Sequence, residues 1–418
     1  MPWVRETQQP RWYVERMAHV AVIHERIGGS AGGGGSARLV TELARGLDRL
    51  GHRVTLCCYH QGPSIFDEET SGVEVRSVAP YRGGSRGARS TLRRYWGGMS
   101  RVAAIVPEDV DVINAHEWMG LRAGVLAAHR TGAPLVWTRS DETFWEQAMM
   151  PEEGRFDHRS PVMRAARGAH GLADLWHARR ADAIVVTSDH DAQMVTRAYR
   201  RRAHVLRQPP PAGFFGSPPR DVARSDLGLA ADDFFVFSFA IHQPYRRSED
   251  LIEAAAQLED LPALRVLIGG SDHENPDYVR DLRALVAARD LAPRVEVRGD
   301  AIVDGDLRTY MAAADAFVFV PRRQSYGLAP LEALASGTPV VVSTGAGVSE
   351  LISGRPGVFA VPSKDADAIA AALRAIHLGD GADGVSETRD WLRRSLTFDR
   401  HAEAAADLFE TVMTEAPR

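Results

Sequence analysis

Between two apolar runs, residues 317–320 and 339–342, lies the stretch Gln324-Ser325-Tyr326-Gly327-Leu328-Ala329-Pro330-Leu331-Glu332, which continues to Gly337 and Pro339. The runs read as strands, and the segment between them as a turn followed by a helix that opens near Gly327. The first amides of a helix lack internal partners, and the aligned peptide dipoles leave that end positive, so it suits a phosphate. Glu332 falls about one and a half turns further in, where a carboxylate can accept from the two hydroxyls of a ribose. Gly337 ends the helix and Pro339 starts the next strand.

Other residues of the right type stand just past expected strand ends. Arg246 and Arg247 follow a strand in the second half; a guanidinium fork neutralises phosphate, although such a pair alone also reads as solvated charge. His116, in Asn114-Ala115-His116-Glu117-Trp118, could equally be a packing residue. Arg139, Asp141 and Glu142 are candidates for an acceptor pocket. Asp304-Gly305-Asp306 has the form of a metal-binding Asp-x-Asp. It precedes Leu307-Arg308-Thr309-Tyr310, so helix capping is the simpler reading, and no metal requirement is expected.

The elements that must position these groups alternate. Residues 20–24 read as a buried strand, Gly28 to Gly35 as a glycine-rich turn, and a helix then begins near Ser36 with Leu39, Leu43, Leu47 and Leu50 on one face. Gly51-His52 stops it, and residues 54–57 form the next strand. Further strands are expected at 110–113, 134–137 and 183–186. Such repeats imply a parallel, doubly wound sheet. The pattern breaks at Gln208-Pro209-Pro210-Pro211, and Pro218-Pro219 follow; prolines make a stiff connector. A second series then runs through strands at 234–239, 265–268, 295–297, 316–320 and 339–342, ending in an amphipathic helix over 400–413. The division expected is an extension 1–16, a first domain 17–208, a linker 209–220, a second domain 221–395 and a terminal helical segment 396–418. That helix is expected to pack back toward the first domain. Two such domains leave a cleft along the carboxyl ends of both sheets.

Composition agrees. With 418 residues the chain exceeds one hydrophobic core. Its net charge of −5 argues against nucleic acid as a partner. Lys364 is the only lysine, a bias that carries no functional reading. Cys57 and Cys58 are neighbours on a strand, face opposite ways and cannot readily bridge, which fits a reducing cytoplasm. No run is long enough to span a bilayer. Residues 82–101 are basic with Tyr95 and Trp96 interleaved, so peripheral contact with an anionic membrane stays open beside a plain solvated helix or loop.

The stretch from Gln324 to Val342 resembles the signature of the retaining family 4 glycosyltransferases of GT-B fold. That family has two glutamates separated by seven residues, a Phe-Gly-Leu between them, then Glu-Ala-Met-Ala-x-Gly-x-Pro-Val-Val. The likeness spans nearly the whole chain from Met17, including Gly34-Gly35, residues 312–316 and residues 345–350. It implies two Rossmann-like doubly wound domains facing across a cleft. Glu332 matches the glutamate that holds the nucleotide ribose. Ser325, Tyr326, Gly327 and Leu328 match the segment whose amides face the diphosphate. Gly34-Gly35 match the glycine loop, where a side chain would block diphosphate and acceptor. His116 matches a histidine pointing into the cleft at the donor sugar, and Arg246 falls at a diphosphate-gripping lysine.

Two departures stand out. Gln324 replaces the first glutamate, keeping hydrogen bonding but not charge. Ile241 takes the place of a second phosphate-binding arginine, with His242 as a neighbouring substitute. The resemblance implies transfer of a sugar from a nucleoside diphosphate sugar, UDP- or GDP-linked, to a hydroxyl of a small-molecule, lipid-linked or saccharide acceptor, with retention. His116, Arg246 and Gln324 would be catalytic, and no further cofactor is implied. The alternative, motivated by Gln324, is a GT-B protein that binds a sugar nucleotide without transferring it. A phosphorylase or epimerase is a third reading, but no clear pair of carboxylates stands in the first domain.

Overall fold

The computed structural model describes residues 17–26, 35–59, 72–78, 94–149, 161–272, 275–300, 302, 304–381 and 384–415. Its first half holds strands β1 (His19–Arg26), β2 (Arg53–Tyr59), β3 (Val73–Val78), β4 (Val112–His116), β5 (Leu135–Thr138), β6 (Ala183–Val186) and β7 (His204–Val205). They form one sheet in the order β3-β2-β1-β4-β5-β6-β7, with every pairing parallel. The helices of this half are α1 (Gly35–Arg49), α2 (Met99–Ala104), α3 (Glu117–Thr131), α4 (Phe144–Met149), α5 (Pro161–Ala178) and α6 (Asp189–Tyr199).

The second half holds β8 (Phe234–Phe239), β9 (Leu264–Gly269), β10 (Val295–Val297), β11 (Ala316–Phe319), β12 (Val340–Ser343) and β13 (Val358–Val361). These form a second parallel sheet in the order β10-β9-β8-β11-β12-β13. Its helices are α7 (Arg220–Asp226), α8 (Ser248–Ala256), α9 (Pro276–Ala288), α10 (Asp304–Ala313), α11 (Ala329–Ser336), α12 (Ser349–Ile352), α13 (Ala366–His377), α14 (Val385–Ser395) and α15 (Phe398–Glu415).

Both faces of each sheet are covered, so the strands are near-continuous apolar runs. Val20 and Val22 of β1 face one core while Ala21 and Ile23 face the other. Cys57 and Cys58 divide the same way; both are unbridged, and burial pushes both thiols up to about 12. In each sheet the strand order turns back beside its first strand: β1 lies between β2 and β4, and β8 between β9 and β11. Connections leave in opposite directions at such a point and open a crevice beyond the strands' carboxyl ends. Gly35 opens the helix after β1, His116 ends β4, Arg246 follows β8 and Gln324 follows β11, so both switch points carry candidate residues.

The sequence reading differs in detail. β4 begins at Val112 rather than 110, and Leu50 falls in the turn after α1, partly exposed, while Val40 and Ala44 join Leu43 and Leu47 inside. β3, β7 and β13 were not foreseen. β7 has only two residues, and the exposed positions inside β3 break its apolar run. The connector holds a 3-10 turn at Ala212–Gly216 before α7.

The last helix returns to the first sheet. Ala402, Ala405, Ala406, Phe409 and Val412 of α15 share a core with Val40, Leu43, Ala44 and Leu47 of α1. Gly46 makes this approach possible, since a Cβ there would stand 2.5 Å from the Ala402 Cβ. Glycine inside a helix costs about 1 kcal/mol relative to alanine, so the close approach must be worth more than that. Gly46→Leu is expected to lower stability by about 1–3 kcal/mol through overpacking despite its better helix propensity, as read from urea unfolding.

Candidate functional site

The signature loop is laced into the second domain by its backbone. Gln324 N–H donates to the Gly345 carbonyl at 2.9 Å, Gly347 N–H to the Gln324 carbonyl at 2.9 Å, and Val348 N–H to the Tyr326 carbonyl at 3.0 Å. The buried Tyr326 hydroxyl donates to the Gln208 carbonyl at 3.0 Å, tying the loop to the segment between the sheets. Gly327 has φ +99°, and a Cβ there would stand 2.6 Å from the Phe319 ring. Glycine is therefore required twice, by conformation and by contact. Leu328 caps α11, Pro330 sits in its first turn where no internal N–H bond is lost, and Gly337 ends it with φ +91°. Glu332 lies in the first turn of α11 and is 7% exposed. Its carboxylate stands 3.6 Å from Arg38 Nη1 of α1, across the cleft.

Arg246 ends a 3-10 turn at Pro244–Arg246. Its guanidinium carbon lies 4.9 Å from the Tyr245 ring centroid and 5.6 Å from that of Phe319. Arg246 and Gly327 thus converge on one ring. Arg246 Nε is buried without a hydrogen-bond partner, and among the described residues no carboxylate pairs with the group. A cation held on aromatic faces with no counter-charge is suited to an anion brought from outside.

The neighbouring expectations need correction. Arg247, at φ +59°, bonds to Asp250 at 2.5 and 2.9 Å and pairs with Glu249 at 2.7 Å, so its charge is already neutralised. His242 cannot replace the missing arginine. Its Nε2 donates to the Arg298 carbonyl at 2.6 Å, and burial lowers its pKa, leaving it neutral. Ile241 is 39% exposed and offers only an apolar surface.

On the first domain, Gly34 lies outside the described residues, and Gly35 opens α1. His116 is the last residue of β4 and is 1% exposed, enclosed rather than open to the cleft. Its pocket is closed by Leu43 of α1 and by His401, Ala405 and Phe409 of α15. Asn114 Nδ2 donates to Thr138 Oγ1 at 2.9 Å, so its Oδ1 accepts from His116 Nε2 at 2.6 Å. That leaves His116 Nδ1 as a buried acceptor without a partner. Burial, then the neighbouring His24 and His401, hold His116 well below the usual range, so it is neutral at pH 7.

Arg139 does not line a pocket. It is fully buried, bonds to Glu146 Oε2 through Nε at 2.8 Å and Nη2 at 2.6 Å, and pairs with Asp191 at 3.0 Å. This triad fixes the loop after β5 on α6. Glu142 reaches over to Arg323 of the second domain at 2.9 Å. Asp141 is exposed, and its N–H donates to Glu117 Oε2 at 3.2 Å. Burial first, and then the Asp141 charge, push the Glu117 carboxyl well above its ordinary range. Glu117 itself has φ +60°, an uncommon conformation for a non-glycine residue, at the β4–α3 junction.

Three residues escaped the sequence reading as site candidates: Arg38, Arg323 and Glu350. Glu350 accepts from the amides of Asp189 and His190 at 2.7 and 2.8 Å and so caps α6 of the other domain. The sequence did place it in the stretch after the signature that shares in the resemblance, but its partner is 160 residues away. The basic stretch 82–101 is described only from Arg94; Trp96 is 44% exposed, and the Arg122 guanidinium covers its ring at 4.0 Å. Among the described residues no helix is long and apolar enough to cross a membrane, and no cluster of His, Cys, Asp or Glu could hold a metal ion.

Two parallel-sheet domains facing across a crevice are the GT-B fold. Sucrose-phosphate synthase from Thermosynechococcus elongatus superposes with a TM-score of 0.78 at 20% identity, over 96% of this chain and all of that one. Anabaena HepE in complex with UDP-glucose superposes with a TM-score of 0.72 at 19% identity, over 94% of this chain and all of that one. The sequence matches the families described as glycosyl transferase 4-like domain over residues 34–211 and glycosyl transferases group 1 over residues 233–377. A D-inositol 3-phosphate glycosyltransferase of Catenulispora acidiphila is 30% identical over 366 residues, 83% of each chain. The chain belongs to the family 4 glycosyltransferases.

His401 gives the domain contact a pH dependence. Its Nδ1 donates to the Arg207 carbonyl at 3.0 Å, and burial holds its pKa down at about 4 against an ordinary 6.5. The unfolded chain takes up this proton below pH 6.5, the folded chain only near 4. Stability from this group is therefore complete above pH 6.5 and is lost as pH falls toward 4, by roughly 3 kcal/mol in all. His401→Asn keeps a donor without the titration. Denaturant unfolding of this variant is expected to lose less stability between pH 6.5 and 5 than wild type.

Proposed function

We propose that the chain moves a sugar from a nucleoside diphosphate sugar, UDP- or GDP-linked, to a hydroxyl acceptor with retention at the anomeric carbon, without a metal. The carrying observation is that Gly327, just before α11, and the Arg246 guanidinium, without a carboxylate partner among the described residues, meet on the Phe319 ring, with Glu332 in the first turn of that helix. Glu332 would accept from the ribose hydroxyls, while the amides around Gly327 and Arg246 face the diphosphate. The complex of Anabaena HepE with UDP-glucose supports such a donor in this fold. The names of the relatives support a small polyol over a lipid-linked or polymeric acceptor.

In the transfer, the bond from the anomeric carbon to the phosphate oxygen breaks, and its electron pair leaves with the nucleoside diphosphate. The acceptor oxygen bonds to the same face of that carbon, and its proton passes to the departing phosphate oxygen. Arg246 and the helix end stabilise the charge that builds on the leaving group. Gln324, whose carboxamide has no partner among the described residues, would hold a sugar hydroxyl. Contacts that join the domains, such as Glu350 to α6, position the acceptor side and exclude water.

Glu332→Ala is expected to weaken UDP or GDP binding about 10–100-fold in calorimetry, the scale of lost hydrogen bonds to a charged group. Unchanged affinity would remove the assignment. Gln324 also motivates a second reading, nucleotide-sugar binding without transfer. Donor hydrolysis by wild type and Gln324→Glu separates the two: turnover by wild type is expected, in EDTA as in buffer. A silent wild type made active by the glutamate would favour binding alone.

A further inference from the structure

Arg38 and Glu332 occupy matching places in the two domains. Each is the fourth residue of its helix: α1 opens at Gly35 and α11 at Ala329. Their side chains come within 3.6 Å across the cleft. Each charged group therefore lies about one helical turn, roughly 5 Å, from the amino end of its own helix. Each amino end carries the positive end of its helix dipole, and the side chains one turn in from the two ends meet across the cleft. At 3.6 Å the contact is longer than a charge-assisted hydrogen bond, and an anion at either helix end would compete with Glu332 for the arginine.

The charge balance of the loop after β8 calls for such a group. A nucleoside diphosphate sugar carries two negative charges, and the departing diphosphate gathers more as the sugar bond breaks. On that loop His242 is neutral, Ile241 is apolar and Arg247 is consumed by Glu249 and Asp250. Arg246 is its one cation without a carboxylate partner among the described residues.

We infer that Arg38 of the first domain supplies a second positive charge to the donor's diphosphate, so that the phosphate site is completed only when the domains face each other. This rests on the donor reading above. Arg38 pairs with Glu332 at 3.6 Å; with the nucleotide bound, the ribose takes Glu332 and the diphosphate takes Arg38. Charge stabilisation of the leaving group is thereby tied to domain closure, since the two arginines belong to opposite domains.

The test titrates wild type, Arg38→Ala and Arg38→Lys with uridine, UDP, guanosine and GDP by calorimetry. For the base that wild type binds, Arg38→Ala is expected to weaken the diphosphate about 10-fold or more, leave the nucleoside equal or slightly tighter, and be partly rescued by Arg38→Lys. Arg38 is partly exposed, and unchanged thermal unfolding would show that the fold is intact. Equal weakening of nucleoside and diphosphate would overturn the assignment, because Arg38 would then only orient Glu332. Tighter diphosphate binding in Arg38→Ala would overturn it too, because the arginine would then only compete for Glu332. If wild type binds none of the four compounds, the donor reading itself fails and takes this assignment with it.

Discussion

The ring of Phe319 is the fixed point around which the nucleotide side of the cleft is arranged. Gly327 passes it so closely that a Cβ would collide with the ring, in a conformation that only glycine adopts readily, and the Arg246 guanidinium lies over it. A larger residue at 327 would both strain the turn and push the start of α11 away from the arginine. The chain therefore brings a helix amino end near a cation that no carboxylate pairs with among the described residues, with Glu332 in the first turn of that helix. Such an arrangement is poorly satisfied on its own and is best completed by an anion.

The second domain does not hold this arrangement alone. Tyr326 bonds to Gln208, Glu350 caps α6, Arg323 meets Glu142, and Arg38 meets Glu332. Each contact joins a residue of the signature region to the first domain or its connecting segment. α15 adds an apolar clamp, passing from the second half of the chain onto the core beside α1. Buried charges are costly unless paired, and the Arg139 triad shows the fold meeting that cost within one domain while leaving the cleft arginines to face across it.

The enclosure of His116 has the same origin. The residue ends β4 at the switch point, as the resemblance implies, yet α15 and α1 wall its pocket. Its ring is neutral and oriented by Asn114, with one bare acceptor nitrogen. An imidazole of this kind serves a hydroxyl better than it serves a phosphate, which separates its chemistry from that of Arg246.

The sequence by itself determined the two parallel sheets, because buried strands are short apolar runs and their helices carry a regular stripe. It also located the signature loop, the helix that holds Glu332 and the glycine at its turn, since those depend on local conformation. It misplaced residues whose role depends on a partner distant in the chain. Arg139 and Arg247 looked available and are consumed by carboxylates; His242 looked basic and is neutral. Arg38 and Glu350 act across the cleft, where spacing along the chain carries no information. Only the tertiary structure decides which charges are left over, because neutralisation is a matter of distance in space, whereas strand, turn and helix are set by neighbours in sequence.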